Sequence, residues 1–206
     1  MAHFITFEGV EGAGKSTQIK LLSNFLRKKN LDFISLREPG GTLLGEKIRK
    51  ILLKDKKLKI DSITETLLMM VSRRELLIQK IFPALKEDRI VICDRFIHST
   101  IAYQGYGRGV DIAWIRNIFS LVCFNFYPNL TFLLDIDTEE GFKRIKSKVK
   151  DRFEEEEISF HKRIREGFLK IAQEEKERFC VLDGRGEKKE IFEKILKCLK
   201  EKSLIS

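Results

Sequence analysis

The stretch Gly9-Val10-Glu11-Gly12-Ala13-Gly14-Lys15-Ser16 matches the pattern GxxxxGK[ST] at every fixed position, and its reading decides the fold. Residues 3–7 before it (HFITF) form an apolar run of strand length. Residues 16–29 after it carry Ile19, Leu22, Phe25 and Leu26 at helical spacing. A strand, a glycine turn and a helix, in that order, are the context in which this pattern cradles phosphate. Glycines let the chain turn so that successive backbone N–H groups point inward at phosphate oxygens. The helix opening near Lys15 adds unpaired amides and the positive end of its dipole. Gly9, Val10, Glu11, Gly12, Ala13, Gly14, Lys15, Ser16 and Thr17 are therefore expected to bind a nucleoside triphosphate. Lys15 would reach its β and γ phosphates, and the Ser16 hydroxyl would turn to Mg2+. The pattern alone does not separate kinase, GTPase and motor.

Outward from this loop the apolar periods alternate. Residues 33–36 give a second strand, closed by Pro39-Gly40-Gly41. Residues 90–93 give a third, ended by Asp94, with a fourth over 130–136 and a fifth over 179–182. Helical patterns cover 44–53, 64–82 and 114–123, and a last helix carries Ile191, Phe192, Ile195, Leu196 and Leu199 on its inner face. Strands alternating with helices predict an α/β fold, a parallel sheet of five strands covered on both sides. With no linker or repeat, residues 1–206 read as a single domain. One segment breaks the rhythm. Residues 144–157, RIKSKVKDRFEEEE, are highly charged with few core anchors. They read either as an exposed helix hairpin or as a mobile lid facing phosphate.

Composition bounds the function classes. With 43% hydrophobic residues the chain can bury a core, which excludes global disorder. Apolar runs such as 90–93 and 131–134 fall far short of the ~20 residues that span a bilayer. The amino terminus turns polar and glycine-rich at once, so a cytoplasmic setting without a secretory signal is expected. Forty Lys plus Arg against 31 Asp plus Glu give a net charge of +9. That balance invites a nucleic-acid reading. Both signs are interspersed, however, and 34% of residues are charged, as on a solvated surface serving small phosphorylated ligands. Neither a nucleic-acid nor a membrane partner is expected. Cys93, Cys123, Cys180 and Cys198 form no CxxC pair, and His3, His98 and His161 are scattered, so no zinc site or disulfide framework is expected. Cys93 and Cys180 read as small apolar core residues within strands.

Asp94 ends an apolar strand at the edge where ligands lie in open α/β sheets. A carboxylate there can hold Mg2+ through water or take hydrogen bonds from an acceptor substrate. Arg95 follows directly and sets a bidentate guanidinium beside the same point. Gly105-Tyr106-Gly107-Arg108-Gly109 lacks the preceding strand and the spacing of a dinucleotide fingerprint, and a flexible loop is expected there.

GVEGAGKST, Arg37-Glu38-Pro39-Gly40-Gly41-Thr42, Asp94-Arg95-Phe96 and Ala102-Tyr103-Gln104-Gly105-Tyr106-Gly107-Arg108-Gly109 occur in the order seen in thymidylate kinases. Through Phe160-His161-Lys162-Arg163 the chain resembles the bacterial members of that family along essentially its whole length. REPGGT with AYQGYGRG is much more specific than the phosphate loop. The resemblance implies a three-layer P-loop NTPase fold with a mobile lid, and usually a homodimer. It implies transfer of the γ-phosphoryl of ATP to dTMP, with Mg2+, giving dTDP and ADP. By position, it places Lys15, Ser16 and the loop glycines on the ATP phosphates and Glu11 toward the dTMP sugar. It sets Asp94 and Arg95 between the nucleotides, with Arg95 clamping the monophosphate and Arg49 meeting the same phosphate. Arg73 and Gln104 match groups that hydrogen-bond the thymine edge, and Thr100 falls where a small polar side chain approaches the base. Tyr103 matches a tyrosine whose ring would crowd a ribose 2′-hydroxyl. Ser16 and Asp94 are the expected metal-side residues, and Lys15, Asp94, Arg95 and Arg152 the catalytic set.

Two departures from the family pattern matter. Many relatives carry an aromatic residue, stacked on thymine, four positions before Arg73; here Met69 stands there. Position 12 is Gly, where another branch has an arginine that helps neutralise the transferring group. The missing cation is expected from the lid, Arg152 first, with Arg144, Lys148 and Lys150 in reserve. Two rival readings stay open. A kinase for CMP, UMP or GMP would need another base pocket than Arg73 with Gln104. A nucleic-acid-dependent P-loop ATPase usually follows its strand-end Asp with a Glu, where this chain has Arg95.

Overall fold

The computed structural model describes residues 2–55, 58–145 and 151–205; Lys148 and Lys150 lie outside the described residues. Five strands, β1 (Phe4–Glu8), β2 (Phe33–Arg37), β3 (Ile90–Asp94), β4 (Leu130–Asp135) and β5 (Phe179–Asp183), form one sheet in the order β2-β3-β1-β4-β5. Every neighbouring pair is parallel. The parallel sheet read from the sequence is present, with strand ends shifted by a residue. Successive side chains of a strand face opposite ways, and every residue of β1 is buried, so both faces of the sheet are covered. Phenylalanines fill the centre. The Phe4 ring meets Phe96 edge-on at 4.9 Å and Phe7 lies 5.2 Å from Phe132. All four are fully buried, and each such ring stabilises the fold by about 1.5–3 kcal/mol.

Helix starts follow local chemistry. α1 (Lys15–Lys28) begins after left-handed Gly14 (φ 94°), with no side-chain cap and no acidic residue in its first turn. Its first amides are left for a ligand. By contrast, α2 (Leu43–Leu53) is capped by Thr42, whose hydroxyl accepts from the Gly45 N–H at 3.0 Å. Asp61 accepts from Ile63 and Thr64 to open α3 (Ser62–Leu76). That start precedes the apolar periodicity by two residues, because the cap sets it rather than the first apolar side chain. The helix expected to run through residue 82 instead widens into a π turn (Leu77–Ile81) before α4 (Phe82–Lys86). Pro83, in the first turn of α4, has no N–H to continue a regular ladder.

The flexible loop expected at 105–109 is not what forms. After α5 (Ile97–Thr100), residues Ile101–Gly107 wind as a buried π-helical segment that packs on α8 (Ile158–Glu174). Gly105 and Gly107 serve close approach. A Cβ on Gly107 would lie 2.7 Å from the Phe160 ring. Asp111 then caps α6 (Ile112–Cys123), accepting from Trp114 N–H at 2.7 Å, and Asp137 caps α7 (Thr138–Arg144). Helix α9 (Lys188–Glu201) lies against α1 and β5. Cys93 is fully buried as expected, whereas Cys180 is only half-buried, on the terminal strand β5 beside Cys198. Its position at the sheet edge leaves one side short of cover.

Within the charged segment Arg144 ends α7, and the described stretch 151–156 forms tight turns. The Asp151 carboxylate accepts from Phe153 N–H and Glu154 N–H, both at 2.9 Å. Phe153 is buried, its ring edge-on to Tyr103 at 5.7 Å, and anchors the turn where the charge pattern shows no core residue.

Candidate active site

A cavity of about 330 Å3 opens at the carboxyl ends of β1 and β3. Of the residues read from the sequence, Glu11, Gly12, Lys15, Ser16, Arg49, Met69, Arg73, Asp94, Arg95, Thr100, Tyr103 and Gln104 line it together. Gly9, Val10, Ala13 and Gly14 do not line it and belong to the frame of the loop, and Thr17, also outside the lining, lies in the first turn of α1. That frame is tight. A Cβ on Gly9 would lie 2.4 Å from the Leu134 carbonyl oxygen, and one on Gly12 would lie 2.0 Å from that of Gly141. Both positions have positive φ, so two independent constraints require glycine.

At the phosphate end the Lys15 ammonium donates to the Gly9 and Val10 carbonyls at 2.8 and 2.9 Å. Two of its three donors thus fix it over the loop, leaving a third. Burial and the nearby Arg95 pull its pKa down to about 8, against Asp94, Glu11 and Glu8. The Ser16 hydroxyl lies 3.5 Å from Asp94 Oδ2, and Asp94 Oδ1 is buried with no hydrogen-bond partner among the described residues. A seryl oxygen beside an underused carboxylate fits a hydrated cation.

Arg95 occupies the middle in a left-handed backbone conformation (φ 71°) that is costly for a residue with a side chain. Buried Glu8, at the end of β1, holds it there. Its carboxylate accepts from Phe96 N–H at 2.8 Å and from the Ser99 hydroxyl at 2.5 Å. Burial raises the Glu8 pKa, opposed by His98, Ser99 and Arg95. The Arg95 guanidinium donates to Ser99 Oγ at 3.0 Å and Glu11 Oε1 at 3.1 Å, and stands 4.9 Å over the Tyr103 ring. Tyr103 also donates its hydroxyl to Glu11 Oε1. Burial works against the Glu11 carboxylate, but His161, Arg95, Lys15 and Tyr103 outweigh it and hold Glu11 well below the usual range. Burial likewise opposes the Arg95 charge, and the carboxylates of Glu11, Asp94 and Glu8 more than restore it. Nearby, Arg49 donates to the Pro39 carbonyl at 2.9 Å; burial, with Arg37 beside it, lowers its pKa.

At the far end Arg73, 1% exposed, stacks on Phe96 and donates through Nε to Glu38 Oε2 at 2.8 Å. Its Nη2 donates to Thr100 Oγ1 at 2.9 Å, so Thr100 orients the arginine as well as lining the cavity. Burial pushes the Glu38 carboxyl up to about 7, with Arg73 opposing. Gln104 donates from Nε2 to Glu65 Oε1 at 2.8 Å. Met69 lies between Glu65 and Arg73 at four-residue spacing, on the same face of α3.

Arg152 stands apart from the lining of the cavity. It is paired with buried Glu65, stacks on Phe153 and is not among the cavity-lining residues. A buried carboxylate without a counter-charge costs several kcal/mol, which is reason enough for the pairing. Arg144 donates to the Gly184 carbonyl at 2.7 Å and to Glu140, also outside the cavity wall.

Sequence reading missed the carboxylates beneath these cations, Glu8, Glu38 and Glu65, and the buried His161 whose Nδ1 lies 3.5 Å from Glu11 Oε2. Signals existed. Glu8 ends an apolar strand just as Asp94 does, and Glu65 shares a helical face with Met69 and Arg73.

Comparison with known proteins is consistent throughout. A family model described as thymidylate kinase matches residues 7–195. The chain is 48% identical over 206 residues to a thymidylate kinase of Sulfurihydrogenibium sp. (strain YO3AOP1), covering 100% of both. It is 50% identical over 184 residues to one from Wolbachia pipientis wMel, covering 88% of this chain and 90% of that one. The crystal structure of thymidylate kinase from Ehrlichia chaffeensis superposes with a TM-score of 0.79 at 38% identity, covering 96% of this chain and 98% of that chain.

Proposed function

The chain belongs to the thymidylate kinase family and phosphorylates dTMP to dTDP with ATP, and we propose that it does so with two nucleotides meeting end to end in the one cavity. The ATP phosphates lie on the loop amides, the start of α1 and the third donor of Lys15. The dTMP phosphate lies between Arg95 and Arg49, its sugar against Tyr103 and Glu11, and its base against Met69, Arg73, Thr100 and Gln104. The observation that carries this reading is that Lys15, Arg95 and Arg73 line one continuous cavity.

Among the described residues no group of three His, Cys, Asp or Glu side chains could hold a metal alone. Mg2+ would be shared between Ser16, Asp94 and the nucleotide, where it supplies charge neutralisation on the β and γ phosphates. Phosphoryl transfer itself asks for in-line positioning and charge neutralisation. Arg95 and Arg49 fix the acceptor, and Lys15 stays with the migrating group. Arg152 joins them on exchanging Glu65 for that group. Phe153, Ile145 and Leu53 give this end of the cavity an apolar wall, which keeps water from competing as acceptor.

The test is a coupled ADP-release assay across dTMP, dUMP, CMP, UMP and GMP. The highest kcat/KM belongs to dTMP, with dUMP lower by the ~1–3 kcal/mol that one methyl group is worth. A higher value for CMP or GMP would overturn the base-pocket assignment.

A homodimer also belongs to this proposal. Ile63, Leu67 and Val71 follow at four-residue spacing along α3 and are exposed, with Leu121 exposed at 75% on neighbouring α6. Such a stripe suits a second copy. Sedimentation velocity should give twice the chain mass, and Leu67→Glu should return it to one. No described helix is long and apolar enough to cross a membrane.

A further inference from the structure

Glu65 lies beneath the base end of the cavity, and the mechanism above uses it only as the partner that Arg152 gives up. It is 1% exposed and meets three donors. Gln104 Nε2 lies at 2.8 Å from Oε1, Arg108 Nε at 3.6 Å from Oε1, and Arg152 is paired with Oε2. Flanked by two guanidinium groups, it is a carboxylate, which accepts hydrogen bonds and donates none. That asymmetry has a consequence one residue away. The two ends of a glutamine amide are nearly identical in shape and opposite in hydrogen bonding, so an unconstrained amide can offer a ligand either end. Beside a carboxylate it cannot. Only the NH2 end can face Glu65, and the carbonyl oxygen is left as the acceptor for whatever occupies the cavity that Gln104 lines.

We infer that Glu65 is a positioning residue that fixes the Gln104 amide with its carbonyl toward the base, and so selects bases carrying a hydrogen on ring N3. Thymine and uracil carry that hydrogen; cytosine presents a lone pair there. The inference rests on the proposed base pocket and deepens it. Arg73 reads the neighbouring position independently, because its own donors suit a 4-oxo group and not a 4-amino group. Discrimination against cytosine is therefore shared between Arg73 and the Glu65–Gln104 pair. Discrimination between thymine and uracil, which differ only at C5, involves neither.

The experiment measures equilibrium dissociation constants of dTMP, dUMP and dCMP for the full chain and three variants: Glu65→Gln, Gln104→Leu and the double variant. Glu65→Gln keeps the shape but can donate as well as accept, which frees the Gln104 amide to turn over. The preference for dTMP over dCMP should fall roughly 10- to 100-fold, the scale of one buried hydrogen bond made wrongly, without vanishing. The preference for dTMP over dUMP should not move. Ratios of this kind cancel any damage common to all three ligands, including any change at Arg152. In the Gln104→Leu background, Glu65→Gln should alter the dTMP:dCMP ratio no further. An unchanged dTMP:dCMP ratio in Glu65→Gln, a parallel fall in dTMP:dUMP, or a further loss in the double variant would each overturn the inference. If Gln104→Leu alone leaves the dTMP:dCMP ratio intact, it is the base-pocket reading that fails.

Discussion

At the phosphate end the protein offers a ligand mostly main chain: a glycine loop, the uncapped start of α1, and a lysine held by two loop carbonyls. At the end where the base is proposed to lie it offers side chains from α3, α5 and the π-helical segment, with Arg73 and Gln104 clamped from behind. Glu38 lies under Arg73 and Glu65 under Gln104. Ligand charge explains the difference. Phosphates bring their own negative charge, so Lys15, Arg49 and Arg95 can wait for them with partial compensation. Thymine is neutral and cannot repay the burial of a guanidinium, so Arg73 must carry its counter-ion with it. Arg152 is paired with Glu65 at the base end, and in the proposed mechanism it crosses to the phosphate end.

The largest expected effect tests that straddling. An arginine aimed at a phosphoryl-transfer transition state is worth ~10³–10⁵ in rate. Arg152→Ala should lower kcat on that scale while changing the KM for dTMP far less. Steady-state kinetics distinguish the alternatives. A large rise in KM with normal kcat would make Arg152 a permanent part of the base end, serving Glu65 only.

Next comes the counter-ion itself. Arg73 and Glu38 are both nearly fully buried, and removing one member of such a pair costs about 3–5 kcal/mol. Glu38→Gln keeps an acceptor, so the lower end, about 3 kcal/mol, is expected in chemical unfolding. The pH dependence carries a second signature. The folded carboxyl sits near 7 against an ordinary 4.5. Between those values the folded state holds more protons than the unfolded one, so this group's contribution to stability falls as pH rises through the window. Glu38→Gln should remove that slope. A slope that persists in the variant would assign it to another group, and equal stability of the two proteins would mean that Arg73 does not depend on its partner.

The same contrast explains what the sequence discloses. The phosphate end is contiguous, and its function depends on backbone shape, so glycines and a lysine at fixed spacing announce it. Parallel strands, buried on both faces, appear as unbroken apolar runs. Helix ends set by Asp61 and Asp111 lie outside the apolar period, which is why α3 and α6 start early. The base end is assembled from positions up to 66 residues apart, from Glu38 to Gln104, and its logic is pairwise. No single residue type there betrays its role. That Arg73, Gln104 and Tyr103 line the cavity was legible through family resemblance, whereas Glu65 and Glu38, which pair with Gln104 and Arg73 from behind, were not. The π-helical winding of 101–107 escaped because its glycines resemble a loop until Ile112 is known to press on Gly105 and Phe160 and Ile164 on Gly107.

A smaller effect sharpens the phosphate side. With the Lys15 pKa near 8, the free protein loses that charge progressively at higher pH, whereas bound phosphates favour the charged form. ATP binding should therefore be flat below pH 8, weaken by about tenfold per unit well above it, and take up a proton there. Calorimetry in two buffers of different ionisation enthalpy measures both. Affinity that stays constant from pH 7 to 9.5 would show that Lys15 remains charged without its ligand.

The smallest effect falls at the base end, where Met69 stands between Glu65 and Arg73 on the floor of the cavity. Its thioether can cover a ring but offers no flat face to stack on. An aromatic pair adds about 0.5–1.5 kcal/mol beyond buried area, so Met69→Phe should tighten dTMP by roughly 2- to 10-fold. The gain has a steric limit, since Met69 is partly buried and packs on the core. A ring that cannot lie flat there would have to push α3, and with it Arg73, away from Thr100. Tighter dTMP with an unchanged dTMP:dUMP ratio would show that the face of the base is held separately from its edge. Weaker dTMP would show that readers clamped from behind leave no slack for a larger floor, which is the cost of neutralising a buried arginine within the protein rather than with the ligand.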